Sequence, residues 1–234
     1  MKFKVQPKVF EVLPNACFGV VVARGMDNRK TNPKIAALLE NSIDDIRHRL
    51  KGVNVRETDE IAPYRNAFQA LGYNPNKFMC SIEALVKRVL KGGMFPLINP
   101  IVDLGNAISL KHVLPIGAHD IHAGNYDIEI RFAVPEDTFI PFGATEPEAV
   151  DAGELVYAGG NSIKTRKWIW RQGVSGMITA NTTDIFYPID GFSEINDTAV
   201  RNARNELADI LENTLGCRTS VGWVDRKSME LAIE

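Results

Sequence analysis

GGMFPLINPIVDLGNAISLKHVLPIGAHD, residues 92–120, decides how the rest of the chain is read. Pro96 and Pro100 each restrict the residue before them and remove a backbone donor, so the segment up to Pro100 is extended or turned. The run IVDLGNAISLKH that follows puts Ile101, Leu104 and Ile108 on roughly one side, with Leu110 less regularly placed, which predicts a helix over 100–112. Asp103, Asn106 and Ser109 recur every three residues and would stack as a polar stripe on that helix. A polar stripe in an apolar element is costly to bury without partners, so it is either a solvated face or a site.

Upstream, 3–13 and 17–23 read as strands broken at Pro14-Asn15, the second a buried apolar run. Asn32 caps a helix that Pro33 opens and Gly52 closes, with Ile35, Leu38, Leu39, Ile43, Ile46 and Leu50 at helical spacing. Further helices are predicted over 62–71 and from Ser81 to Gly92-Gly93. From Tyr126 the period becomes two. Ile128, Ile130, Phe132 and Val134 fall on one face, and Glu129 and Arg131 on the other. Strands are expected at 154–157, 168–171, 177–180, 184–187 and 219–224, with Gly159-Gly160-Asn161 as a hairpin turn. Asp197 is read as the cap of a last long helix ending at Leu215-Gly216. Helical and strand blocks of this kind predict an α+β fold: a mixed, mostly antiparallel sheet in layers flanked by helices.

The 234 residues suffice for one large domain with a substantial core. No apolar run reaches the roughly 18–20 residues of a membrane span, and MKFKVQPKVFEV lacks the apolar centre of a signal peptide. Cys17, Cys80 and Cys217 are odd in number, widely spaced and set among apolar residues, so buried free thiols are expected. A cytoplasmic protein follows, with no membrane partner. Net charge of −2 argues against a protein that grips the body of a nucleic acid electrostatically, and DNA is not an expected partner. Local excess exists in Lys87, Arg88 and Lys91, and in Lys164, Arg166, Lys167 and Arg171, each able to meet a few phosphates.

Pro96, Ile98, Asn99, Val102, Asp103, Asn106, Pro115, Ala118 and Asp120 together resemble a signature of the phenylalanyl-tRNA synthetase beta chain. There it lies in the B3/B4 region, the editing domain that hydrolyses mischarged tRNA. The similarity continues more loosely through Gly143, residues 154–157, Thr179 and residues 182–185, and its core covers about 62–188 of a single domain over 1–234. The resemblance implies a freestanding relative of the editing domain: not a complete synthetase, acting on the charged 3′ end of a tRNA, with no cofactor and no metal. This chain departs from the family pattern at Gly117, where a histidine is usual, and at Gly105, where a small hydroxyl residue is usual. It departs again near Met177, where an acid reads a tyrosine hydroxyl. A pocket without that acid would leave a phenol unpaired, so tyrosine is not the expected target.

An aminoacyl ester is labile, so a fixed water and donors to the oxyanion suffice without a serine or cysteine nucleophile. Asn106, Asp103, Thr179 and Thr183 are the candidate catalytic residues on that reading. Ser109, His119, Asp120, Arg131, Glu154, Arg166, Trp168, Trp170 and Arg171 are the candidate substrate contacts. In TRKWIWRQG, a strand would put Arg166, Trp168 and Trp170 on one face, suited to stacking on an adenine beside its phosphate. The same pattern also suits core packing. His112, His119 and His122 lack the spacing of a zinc site and read as a surface loop. Two other readings stay open: a noncatalytic tRNA-binding module, and a binder of a small amino acid-like metabolite.

Overall fold

The structure is a computed structural model and describes residues 1–124 and 126–233. Its centre is β2 (Ala16–Arg24), an apolar strand buried along nearly its whole length. Such a strand needs partners on both edges and cover on both faces. Antiparallel β8 (Asp184–Phe192) and β9 (Arg218–Asp225) flank it, and β3 (His119–Asp120) pairs with the far edge of β8. These four form one sheet in the order β3-β8-β2-β9.

A second, six-stranded sheet contains β1 (Lys2–Val5), β4 (Ile128–Phe132), β5 (Leu155–Gly159), β6 (Ser162–Arg166), β7 (Arg171–Gln172) and β10 (Glu230–Ala232). Its order is β10-β1-β4-β5-β6-β7, and the β1–β4 pair alone is parallel among the described strand pairs. The two sheets meet face to face through aromatics: Phe3 of β1 lies 6.0 Å from Phe18 of β2 and 5.0 Å from Phe186 of β8. Burying each such ring contributes roughly 1.5–3 kcal/mol.

The outer face of the four-stranded sheet carries helices. Gly19 and Gly191 let α6 (Asp197–Leu215) approach closely: a Cβ at Gly191 would lie 2.4 Å from Val200 Cγ2. Next to it, α5 (Pro100–His112) packs on β8, with the Tyr187 hydroxyl donating to the Ile101 carbonyl at 2.9 Å. α2 (Pro33–Arg49) lies against α5 in turn. α1 (Pro7–Val12), α3 (Ala62–Ala70) and α4 (Ser81–Leu90) complete the helices. Among the described residues no helix is long and apolar enough to cross a membrane. The α+β architecture in mostly antiparallel sheets, and the helices capped by Asn32 and opened by Pro100, match the sequence reading.

Five local readings are corrected. The 3–13 strand stops at Val5, because Pro7 cannot extend a ladder and opens α1 instead. Val134 lies beyond β4 and is exposed. Asp197 is the first helical residue of α6; Asn196 is the cap, and its Oδ1 accepts from the Phe192 amide. Residues 177–180 form no strand. Residues 167–170 are a tight turn, with Lys167 and Trp168 both left-handed (φ 43° and 63°).

Candidate functional site

α5, the segment 115–119 and residues 172–178 converge on two adjoining cavities. The outer is a cleft of about 310 Å³. Val102, Gly105 and Asn106 share one face of α5 and form its helical wall; Ile116, Ala118, Gln172 and Ile178 form the rest. Ile98, Phe142 and Met177 stand at its mouth, with Ile98 61% and Phe142 51% exposed. The Asn106 carboxamide makes no hydrogen bond with any described residue. Asp103 holds the turn before the helix, its Oδ1 accepting from the Ile98 amide at 2.9 Å. Burial pushes the Asp103 carboxyl up, and amide donors at Ile98 and Asn99 oppose the shift.

Ile116 and Gln172 also wall a smaller inner cavity of about 70 Å³, lined further by Gly117, His119, Tyr157, Trp168 and Asp190. Asp190 is fully buried. Its Oδ1 accepts from the Tyr157 hydroxyl and from Trp168 Nε1, both at 2.7 Å. Its Oδ2 has no partner among the described residues. Burial pushes this carboxyl up to about 7, against the two donors that favour its charged form. His119 is stacked on Tyr157 and Phe186, and its Nδ1 is buried with no described partner. Burial, and then the charge of Lys164, push it down to about 3, so the ring is neutral. Lys164 is itself buried and lowered by burial, while the charge of Asp120 opposes that shift. Gly176 (φ 76°) makes room for it: a Cβ there would lie 2.9 Å from Lys164 Nζ.

The residues singled out in the sequence scatter over several settings. Asn106, His119, Trp168 and Trp170 line the cavities. Ser109 is buried and donates to the Leu114 carbonyl at 2.6 Å, closing the helix end. Asp120 accepts from the His122 amide and from Thr182 Oγ1, tying down the turn that Thr179 opens. Thr179 and Thr183 are exposed and line neither cavity; Met177 and Ile178 do. Arg131 forms a bidentate pair with Asp137, both bonds 2.7 Å. Glu154 gathers Arg166 Nε and Nη2 together with the Lys167 amide and Nζ, within 2.8–3.0 Å. Arg171 faces Glu148 at the surface.

The expected strand face of Arg166, Trp168 and Trp170 does not form, because the backbone turns at 167–170; Arg166 stays over the Trp170 ring, 6.0 Å from its centroid. Trp168 enters the core, and Trp170 sits edge-on to Phe78 with centroids 4.8 Å apart. The 164–171 cations are likewise no phosphate patch: Lys164, Arg166 and Lys167 are buried. The three histidines of 112–122 part company, His112 pairing with Glu206 and His122 with Asp184.

Asp190, Tyr157 and Gln172 were not among the candidates read from the sequence, and Gly117 entered only as a departure from the family pattern. A signal existed for the first: Asp190 is an acid inside the apolar run IFYPIDGF, where an unpaired carboxylate is too costly to be incidental.

A family model described as the B3/4 domain matches residues 63–216. Among solved structures, an N-terminal fragment of the phenylalanyl-tRNA synthetase beta-subunit from Pyrococcus horikoshii is similar, with a TM-score of 0.51 and 12% identity. The alignment covers 93% of this chain and 49% of that one, so this chain spans about half the length of that fragment. At that identity the likeness concerns the fold. No curated protein matches the chain.

Proposed function

This chain belongs to the B3/4 domain family, and from that premise we propose that it is an aminoacyl-tRNA deacylase that hydrolyses the ester of a mischarged tRNA. The observation that carries the proposal is Asn106: a carboxamide with no hydrogen bond to any described residue, on the wall of a cleft that adjoins a second, inner cavity. The terminal adenosine would lie in the outer cleft, against the apolar side chains of Ile98, Phe142 and Met177 at its mouth. The aminoacyl group would point past Gln172 toward the inner cavity.

In that pose Asn106 Nδ2 donates to the carbonyl oxygen of the ester and strengthens its bond as negative charge develops there. Water attacks the carbonyl carbon, the bond from that carbon to the ribose oxygen breaks, and the proton lost by the water ends on the ribose hydroxyl. Asp103 acts at one remove, by fixing residues 98–100 and so the start of α5. The negative net charge agrees with contact limited to the end of the tRNA, since few phosphates would be neutralised.

The experiment is release of amino acid from a panel of charged tRNAs by the purified protein and by Asn106→Ala. Removal of one oxyanion donor is expected to lower kcat by about 10²–10³-fold with the thermal midpoint unchanged. An Asn106→Ala protein as active as the parent would remove Asn106 from the mechanism. Salt-sensitive binding of charged tRNA with no release from any member of the panel would favour a noncatalytic module.

A further inference from the structure

We propose that the inner cavity is the acyl subsite and that it selects a small side chain bearing a hydroxyl, with Asp190 Oδ2 as its hydrogen-bond partner. The inference rests on the deacylase reading for the word acyl; the selectivity itself rests on the cavity.

Size comes first. A space of about 70 Å³ is about half of the ~150 Å³ of a cavity that takes up benzene. It admits a side chain of two or three heavy atoms and excludes a phenyl or phenol ring. Chemistry comes second. Tyr157 and Trp168 both bind Oδ1 of Asp190, which fixes the carboxyl plane and leaves Oδ2 without a described partner on the cavity wall. Both donors are themselves buried in the core, so this orientation cannot relax. An alkyl side chain seated in the cavity would cover that oxygen without pairing it, whereas a hydroxyl satisfies it. Sites built to pair with a substrate hydroxyl discriminate against the analogue that lacks it far more strongly than apolar pockets discriminate by size.

The carboxyl, held by burial at about 7, is present in both protonation states near neutrality. It can therefore accept from the hydroxyl or donate to it. His119, neutral and stacked on Tyr157, adds no competing cation.

The test has two arms on the full chain. In the first, release is measured from seryl-, alanyl-, threonyl-, valyl-, phenylalanyl- and tyrosyl-tRNA. In the second, binding of a non-hydrolysable seryl amide of 3′-amino-3′-deoxyadenosine is compared with its alanyl counterpart by calorimetry. A preference of at least tenfold for seryl over alanyl, and for threonyl over valyl, is expected in release, and the seryl amide should bind correspondingly tighter.

Asp190→Asn can keep both Oδ1 bonds and is expected to cut the preference at least threefold. Gly117→Ala leaves Asp190 untouched and places a methyl 3.2 Å from His119 Nε2 and from Pro188 Cγ, narrowing the cavity. It should impair threonyl release more than seryl release. Hydrolysis of phenylalanyl- or tyrosyl-tRNA as fast as seryl-tRNA would overturn the subsite while leaving the deacylase reading intact. Conversely, no release from any charged tRNA, with tight and selective binding of the seryl amide, would overturn the deacylase reading and leave the hydroxyl subsite standing. Equal binding of the two amides overturns the subsite in either case.

Discussion

Asp190→Asn should expose an acid sensitivity that the parent protein cancels internally. The Asp190 carboxyl is held at about 7 against an ordinary 3.8, by burial. An acid raised on folding contributes its stability below the unfolded value, and loses it as pH rises from about 4 to about 7. Its neighbour His119 is held at about 3 against 6.5, again by burial. That contribution is complete above 6.5 and is lost as pH falls toward 3. Between pH 7 and pH 4 the first group therefore gains ~3 kcal/mol of stability and the second loses ~3 kcal/mol, at 1.36 kcal/mol per pKa unit.

The two nearly offset in the parent. Asparagine does not titrate, so Asp190→Asn keeps only the histidine loss and should fall by about 3 kcal/mol relative to the parent over that interval. His119→Phe, a near match for the stacked ring, should move the opposite way by a similar amount. Urea unfolding at pH 4, 5, 6 and 7, followed by tryptophan fluorescence, measures each difference. Groups elsewhere in the chain titrate alike in parent and variant and drop out. Parent and Asp190→Asn curves that stay parallel across the range would refute the account, because they would mean that Asp190 carries no shift.

Three further outcomes are expected. Gly191→Ala sets a methyl 2.4 Å from Val200 Cγ2 and 2.8 Å from Asn196 Oδ1, which must push α6 off the sheet at a cost of about 1–3 kcal/mol; a thermal midpoint that does not move would contradict this, and adding Val200→Ala should recover part of the loss. Glu154→Gln removes the carboxylate that the buried Arg166 and Lys167 share and leaves each only a longer pair at 3.6 Å, with Glu148 and Asp151 respectively, so denaturant unfolding should register a loss of about 1–3 kcal/mol. Asp103→Ala frees the Ile98 amide and loosens the entry to α5, so deacylation should weaken through KM as well as kcat, while Asn106→Ala acts on kcat.

Much of the scaffold was readable because local rules agreed with the fold. Asn32-Pro33 is a helix start by cap chemistry and Pro100 by the apolar spacing that follows it, and both helices begin there. Asn106 was accessible for a similar reason, since spacing set it on a polar stripe. Burial then divided that stripe: Asp103 and Ser109 turn inward to backbone partners, and Asn106 alone keeps a free carboxamide. No periodicity encodes that division, because it depends on what packs against each turn of the helix.

The 166–171 segment misled for a different reason. Alternating Arg, Trp and Trp mimic a strand, yet Glu154, a dozen residues earlier, binds the Lys167 amide and side chain and folds the backbone back. The inner cavity was illegible in the same sense. Its walls come from Gly117, Tyr157, Trp168 and Asp190, four separated segments that only the meeting of the two sheets brings together.

The bend at Lys167 and Trp168 carries a consequence for variation. Two successive side chains hold a backbone shape that L-residues resist by about 1–2 kcal/mol each, and the anchor that compensates, Glu154, lies just before β5. A relative with glycine at 167 would lose the resistance at that residue alone: the left-handed tryptophan would keep its own, and the buried Arg166 would still need the acid at 154. Conversely, one that lost the acid while keeping lysine would straighten the chain and swing the indole away from its carboxyl. Positions 154, 166, 167, 168 and 190 should accordingly change as a set, and glycine at 167 is expected to preserve the chamber only where 154 and 166 keep their opposite charges.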